Sequence, residues 1–149
     1  VMNIDIRGEN SLRLQDKWAT GPKAYLGLAT AGFPNLFLVT GPGSPSVLSN
    51  MLPSIEQHVE WISDCIEFMN RHQHRSINPD RDAEEAWVEH VNEVAQTSVY
   101  PGCNSWYLGA NVEGKSRVFM PYLGVPPYVE KCDEVVAAGY EGFTLSSAS

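Results

Sequence analysis

The sequence predicts a mixed α/β fold organised around a strand, a turn rich in Gly, Pro and Ser, and a long helix. Three observations carry that expectation. Residues 36–39, Leu-Phe-Leu-Val, are a short apolar run bounded by turn residues, as in a strand covered on both faces. Residues 41–46, Gly-Pro-Gly-Ser-Pro-Ser, break that run abruptly. After Asn50, the residues Leu52, Ile55, Val59, Ile62, Ile66 and Met69 recur at spacings of three and four, one apolar stripe down a helix. A strand, a turn and a helix N-terminus together present main-chain N–H groups to a ligand. Glycine permits close approach, proline stiffens the loop, and the first helical turn has unpaired donors at the positive end of the dipole. The alternative on spacing alone is a rigid corner with no ligand.

The remaining elements follow in order. Residues 1–6 alternate apolar and polar and read as a strand ending at Arg7-Gly8. Trp18 is expected inside the core or under a loop. Residues 25–30, YLGLAT, read as a short strand, and residues 31–35 as a turn. Asn50 is the expected N-cap of the long helix and Pro53 suits its first turn. Its opposite face carries Glu56, Glu60, Asp64 and Glu67, a solvated surface. Residues 71–82 are polar and read as a connection. Asp82 with Glu85 resembles a capping box, opening a second helix with the stripe Ala83, Trp87, Val91 and Val94. Residues 103–115 form a long loop, of the kind that is disproportionately functional. Residues 117–123 read as a strand. Gly124-Val125-Pro126-Pro127 opens a third helix through Ala138, Gly139 closes it, and residues 143–145 are a final strand.

Composition bounds the function. A chain of 149 residues with 43% hydrophobic and 19% charged residues has enough apolar material for one ordinary core. Its formal net charge of -8 argues against nucleic acid or an anionic membrane as the main partner. No run of residues is long and apolar enough for a membrane span, and the start reads as a strand rather than a signal peptide. Cys65, Cys103 and Cys132 are odd in number and lack metal-type spacing, so reduced thiols in a cytoplasmic protein are expected.

Three groups could carry chemistry. The Gly-Pro corner lacks G-x-G-x-x-G and the Lys of a Walker loop. Trp106, with Tyr107, Asn111 and Lys115, could close over a flat ring while Lys115 meets a phosphate; the alternative is an aromatic plug. His72 and His74, with His58 or His90, could touch a metal, but nothing suggests a carboxylate–histidine pairing behind them, and surface histidines are the expected outcome. Ser44, Ser46 and Ser49 do not sit in a G-x-S-x-G elbow, which argues against a hydrolase.

Several runs then agree in order with one family. Residues 41–51 with the Ser-Ile-Glu-Gln-His-Val-Glu-Trp run at 54–61, the Trp-Val-Glu-His-Val run at 87–91, the Asn-Ser-Trp-Tyr-Leu-Gly-Ala-Asn-Val run at 104–112, Gly114-Lys115, residues 117–120 and Gly139–Phe143 carry the likeness. On these, the chain resembles the C-terminal region of flavin-dependent Baeyer–Villiger monooxygenases, of the phenylacetone, cyclohexanone and steroid monooxygenase branch. The resemblance implies FAD and NADP(H) as cofactors and insertion of an oxygen atom from O2 beside a ketone carbonyl, giving an ester or lactone through a flavin C4a-peroxide. It implies the C-terminal part of an FAD-binding Rossmann-like domain in residues 1–75, and in residues 76–149 a helical and lid segment completing the substrate and NADP side. It places Pro45, Ser46, Val47 and Leu48 against the substrate, Gly41, Pro42, Asn50 and Met51 at the FAD, and Trp106 and Lys115 on a lid over the nicotinamide nucleotide. A hinged aromatic lid would keep water away from the reacting centre. No catalytic residue is expected in the chain. The family's two G-x-G-x-x-G turns, its F-x-G-x-x-x-H-x-x-x-W/P signature and its active-site Arg lie N-terminal to the matched region. The chain is thus expected to be roughly the last quarter of such an enzyme, inactive alone and partnered by the N-terminal remainder. The competing expectations are a stand-alone binding or interaction domain derived from the same fold, and an N- or S-oxidising relative.

Overall fold

The structure is a computed structural model that describes residues 4–45, 50–99 and 121–147. In chain order, a 3-10 turn (Glu9–Ser11) and the one-turn helix α1 (Leu14–Lys17) precede α2 (Met51–Arg71), β1 (His74–Pro79), α3 (Arg81–Ala95), α4 (Val125–Ala137) and β2 (Phe143–Ser147). Helix and strand are mixed, as expected. Among the described residues the one sheet is the antiparallel pair β1–β2, with Ile77 opposite Leu145. β1 lies in the stretch that reads as a polar connection. A two-stranded ribbon needs little apolar surface, and here Ile77 alone turns a large aliphatic side chain into the core.

The helix signals hold where they are local. Asn50 caps α2, its Oδ1 accepting from the Leu52 N–H at 3.1 Å. Pro126 and Pro127 sit in the first turn of α4. At its end, Gly139 (φ 74°) donates its N–H to Val136 O at 2.9 Å and Tyr140 donates to Val135 O at 2.8 Å, a Schellman closure. α3 starts earlier than the Asp82–Glu85 pattern suggests. Its N-cap is Asp80, whose carboxylate accepts from Thr144 Oγ1 at 2.6 Å instead of capping the helix. Glu84, one turn in, is buried. It accepts from Thr30 Oγ1 and the Ala31 N–H, each at 2.9 Å, and pairs with Lys17 at 2.7 Å. That clasp ties α1 and the turn at residues 30–31 to α3.

Three expected strands are not found in the described residues. Residues 4–6 are irregular, and Arg7 makes only an isolated bridge to Arg13. Residues 25–29 are a buried tight turn: Leu26 (φ 55°) and Gly27 (φ 69°) are both left-handed, and Tyr25 donates its N–H to Ala29 O at 2.8 Å. Residues 36–39 carry one bridge, Phe37 to Ala29, and Val39 is exposed. The expected strand at residues 117–123 lies mostly outside the described residues; Pro121 makes an isolated parallel bridge with Ser44.

The main core joins Tyr25, Leu26 and Leu28 of that turn to Trp61 and Cys65 of α2, Trp87 and Val91 of α3, Tyr128 and Cys132 of α4, and Phe143 of β2. One continuous core therefore spans residue 75, which itself lies within β1. A smaller cluster of Leu14, Trp18 and Phe33 lies beside it, and the Trp18 indole donates to Lys23 O at 3.0 Å. The buried side of α2 is Ser54, His58, Trp61, Cys65 and Met69; of the stripe expected from the spacing, Met69 is buried and Ile62 packs against the core. Leu52, Val59 and Ile66 face outward.

Candidate functional site

The corner at residues 40–45 is built on the tight turn at residues 25–29. Three successive carbonyls of that turn act as its base. Leu28 O accepts from the Leu38 N–H at 2.7 Å, Gly27 O from the Gly41 N–H at 3.1 Å, and Leu26 O from Tyr128 Oη at 2.7 Å. Main chain lies against main chain here, so a Cβ at Gly41 would collide with the Gly27 carbonyl oxygen, and one at Gly27 with Ser44.

The far side of the corner is closed by α3. Gly43 (φ 85°) gives its carbonyl to the Trp87 indole N–H at 3.0 Å, and a Cβ at Gly43 would come within 2.9 Å of Trp87 Nε1. Ser44 is buried. Its hydroxyl donates to Gly41 O at 2.7 Å, and its own carbonyl accepts from the Tyr122 N–H at 3.0 Å. Tyr122 stacks on Trp87, ring centroids 5.3 Å apart and 16° from parallel, and its hydroxyl lies 3.1 Å from His90 Nε2.

Three N–H groups of the corner are paired within the fold. Thr40 donates to His58 Nδ1 at 2.8 Å, Gly41 to Gly27 O and Ser44 to Gly41 O. Pro42 and Pro45 have no N–H to give. The expectation of a row of bare amides fails at these positions. The close approach that glycine permits is used against the turn beneath, and the amides of Thr40, Gly41 and Ser44 are held inside the fold.

His58, expected from the sequence to be a helix-end or surface histidine, lies inside the fold instead. It is fully buried, and Tyr128 Oη lies 2.8 Å from its Nε2. Nδ1 accepts from Thr40, so the neutral ring carries its proton on Nε2 and donates it to Tyr128, whose own proton goes to Leu26 O. Burial lowers its pKa from 6.5 to about 4.

Of the sequence-predicted residues, Gly41 and Pro42 are half-buried, Pro45 is buried, and Asn50 and Met51 are exposed at the head of α2. Ser46, Val47, Leu48, Trp106 and Lys115 lie outside the described residues. No group of His, Cys, Asp or Glu able to hold a metal occurs among the described residues. His72 and His74 stack loosely near Phe68 instead. Cys65 and Cys132 are free and buried, and burial pushes both thiols up to about 11. A groove of about 550 Å³ opens between α3 and α4, lined by Tyr25, Ala83, Trp87, His90 and Lys131 among others, and includes none of the residues expected at the FAD, the nucleotide or the substrate. No described helix is long and apolar enough to cross a membrane.

No protein-family model matches the chain. Individual proteins do. A phenazine N-monooxygenase of Lysobacter antibioticus is 43% identical over 145 residues, 97% of this chain and 26% of its own length. The structure of a cyclohexanone monooxygenase from Rhodococcus sp. Phi1 bound to NADP+ superposes with a TM-score of 0.90 at 43% identity, over 97% of this chain and 27% of that one. The chain is a homologue of Baeyer–Villiger and related flavin monooxygenases. The structure of OTEMO in complex with FAD and NADP matches with a TM-score of 0.84 at 34% identity, over 96% of this chain and 26% of that one. The chain thus spans about a quarter of the length of the flavin monooxygenases it matches.

Proposed function

We propose that this chain is the C-terminal portion of an FAD- and NADPH-dependent Baeyer–Villiger monooxygenase that converts ketones to esters or lactones with O2. The observation that supports this most is the likeness, over 97% of the chain at a TM-score of 0.90, to a cyclohexanone monooxygenase bound to NADP+. In this reading residues 1–75 end the Rossmann-like FAD-binding domain, and residues 76–149 form the helical and lid segment. The two share one core and fold together. The N-terminal remainder of the enzyme supplies the dinucleotide-binding turns and the active-site Arg. The buried, reduced thiols suit a cytoplasmic setting.

The head of α2 fits one edge of a flavin. No carboxylate lies in its first turn, so the positive end of its dipole is uncompensated, and Met51 is 37% exposed beside it. The amides of Thr40, Gly41 and Ser44 hold no cofactor, because they are paired inward. FAD, when bound, supplies the oxygen activation, and NADPH the electrons. What this chain's residues do is shape and exclude. The stiff corner, with Gly41 and Pro42, limits how close the ring can lie, Asn50 and Met51 meet its edge, and Pro45, Ser46, Val47 and Leu48 wall the ketone pocket. Trp106 and Lys115 close over the nucleotide and keep water out. The 149 residues alone lack the rest of the flavin site and are inactive.

The test is expression of the complete reading frame that contains this chain, followed by mass spectrometry of products formed from cyclohexanone, NADPH and ¹⁸O₂. The expected result is a yellow protein and a lactone carrying one labelled oxygen. A colourless protein, or NADPH oxidation with no ester or lactone from a panel of cyclic and linear ketones, overturns the proposal. A second reading, N-oxidation of a heteroaromatic, is favoured by the 43% identity to a phenazine N-monooxygenase. Phenazine conversion to an N-oxide with no ketone turnover would select it.

A further inference from the structure

We propose that His58 is the positioning residue of the Gly-Pro corner, holding Thr40 and the adjoining Gly41 against α2 through a single neutral tautomer. The role given to the corner rests on the monooxygenase reading; the geometry does not.

Two adjoining amides of the corner are held by two routes that meet in one turn. The Gly41 N–H reaches Gly27 O directly. The Thr40 N–H reaches the neighbouring Leu26 O through His58 and Tyr128, in steps of 2.8, 2.8 and 2.7 Å. The first route is main chain only and is indifferent to side-chain identity. The second runs through a side chain, and its hold on Thr40 needs the acceptor nitrogen of a neutral imidazole. Among the described residues, His58 is the one side chain that accepts from a main-chain N–H of residues 40–45. Thr40 is β-branched with φ 52°, a conformation that persists only when its surroundings hold it. Its N–H turns inward with that conformation and meets His58. The position of the corner is therefore written partly in α2, through a residue whose two partners, Thr40 and Tyr128, come from two other segments.

Substitutions separate the two ends of the ring. Asparagine at 58 places an amide oxygen near the site of Nδ1 and keeps the Thr40 contact while dropping Tyr128. Glutamine places an amide nitrogen near the site of Nε2 and keeps Tyr128 while dropping Thr40. Tyr128→Phe removes the far partner and leaves Thr40 bonded. The complete holoenzyme is compared as wild type, His58→Asn, His58→Gln and Tyr128→Phe. Two readouts are used: hydrogen exchange at the Thr40 amide, and KM and kcat for cyclohexanone. Positioning by His58 requires His58→Gln to speed Thr40 exchange and raise KM, each about tenfold, with kcat within about twofold. His58→Asn and Tyr128→Phe must leave both readouts within about twofold of wild type, although their melting temperatures fall. Equal changes in His58→Gln and Tyr128→Phe would reduce His58 to a general stabiliser and overturn the inference. If His58→Gln does not fold, the other two variants decide, since a shift of KM or Thr40 exchange in either contradicts it. A wild-type enzyme with no ketone turnover sinks the monooxygenase reading instead, while Thr40 exchange still tests the positioning.

Discussion

Along α2 the inward side carries Ser54, His58, Trp61, Cys65 and Met69, while Leu52, Val59 and Ile66 sit outside, one every seven residues. The outer stripe is purely aliphatic and 46–67% exposed. The inner face mixes two hydrogen-bonding side chains, an indole and a thiol among its buried residues. Among the described residues, Ser54 Oγ and the Trp61 indole N–H have no hydrogen-bond partner. Periodicity reports that a helix has an apolar side; where that side points depends on which neighbours surround it. Trp61 is the pivot of the inner face, meeting Tyr140 edge-on at 5.3 Å and Phe143 at 5.8 Å. Nothing among the described residues covers Leu52. In a complete monooxygenase of the proposed kind, the outer stripe is where preceding polypeptide would pack.

The strongest way to break this comparison is Trp61→Ala, which empties the inner face. Denaturant unfolding should register a loss of about 4 kcal/mol; a loss below about 1 kcal/mol would mean that the inner face is not the core.

Acid provides the next effect. The folded-state pKa of His58, about 4, lies below its ordinary 6.5, so the unfolded chain takes up the proton first. The contribution is fully present above pH 6.5 and declines as pH falls toward 4, by about 3 kcal/mol in all. The titratable group in contact with the ring among the described residues is Tyr128 of α4, and burial keeps it neutral across that range. Unfolding at pH 7, 5.5 and 4 should show this decline in wild type and a shallower one in His58→Asn. Parallel curves would show that His58 is not the source.

The smallest effect sharpens the contrast. Val59→Asp should change the stability of these 149 residues by no more than about 0.5 kcal/mol. In the complete enzyme the same change should cost about 2 kcal/mol, because the stripe is then covered. Equal values in both settings would leave the outer stripe solvent-exposed throughout.

Elements with local signals were legible from the sequence. Asn50 and Pro53 mark the start of α2, Pro126, Pro127 and Gly139 bracket α4, and residues 143–145 read as the strand that became β2. Residues 25–30 were misread because an apolar run looks alike in a strand and in a buried turn; the left-handed Leu26 leaves no mark in composition. β1 was missed because a strand in a two-stranded ribbon needs little apolar surface. The corner was located from its Gly and Pro residues, but the direction of its amides was not. His58 was grouped with surface histidines, since nothing in its spacing tells a buried imidazole from an exposed one.

The order of residue types along the chain was enough to determine where α2 starts and where α4 starts and stops, and to bring out the likeness to flavin monooxygenases. Capping, helix periodicity and motif order are properties of neighbouring residues. Only the tertiary structure decided which face of α2 is inside, that the corner pairs its own amides, and that His58 carries its proton on Nε2. Those depend on atoms from segments as far apart as Leu26 and Tyr128, 102 positions along the chain, and a donor's partner is settled only once both are packed together.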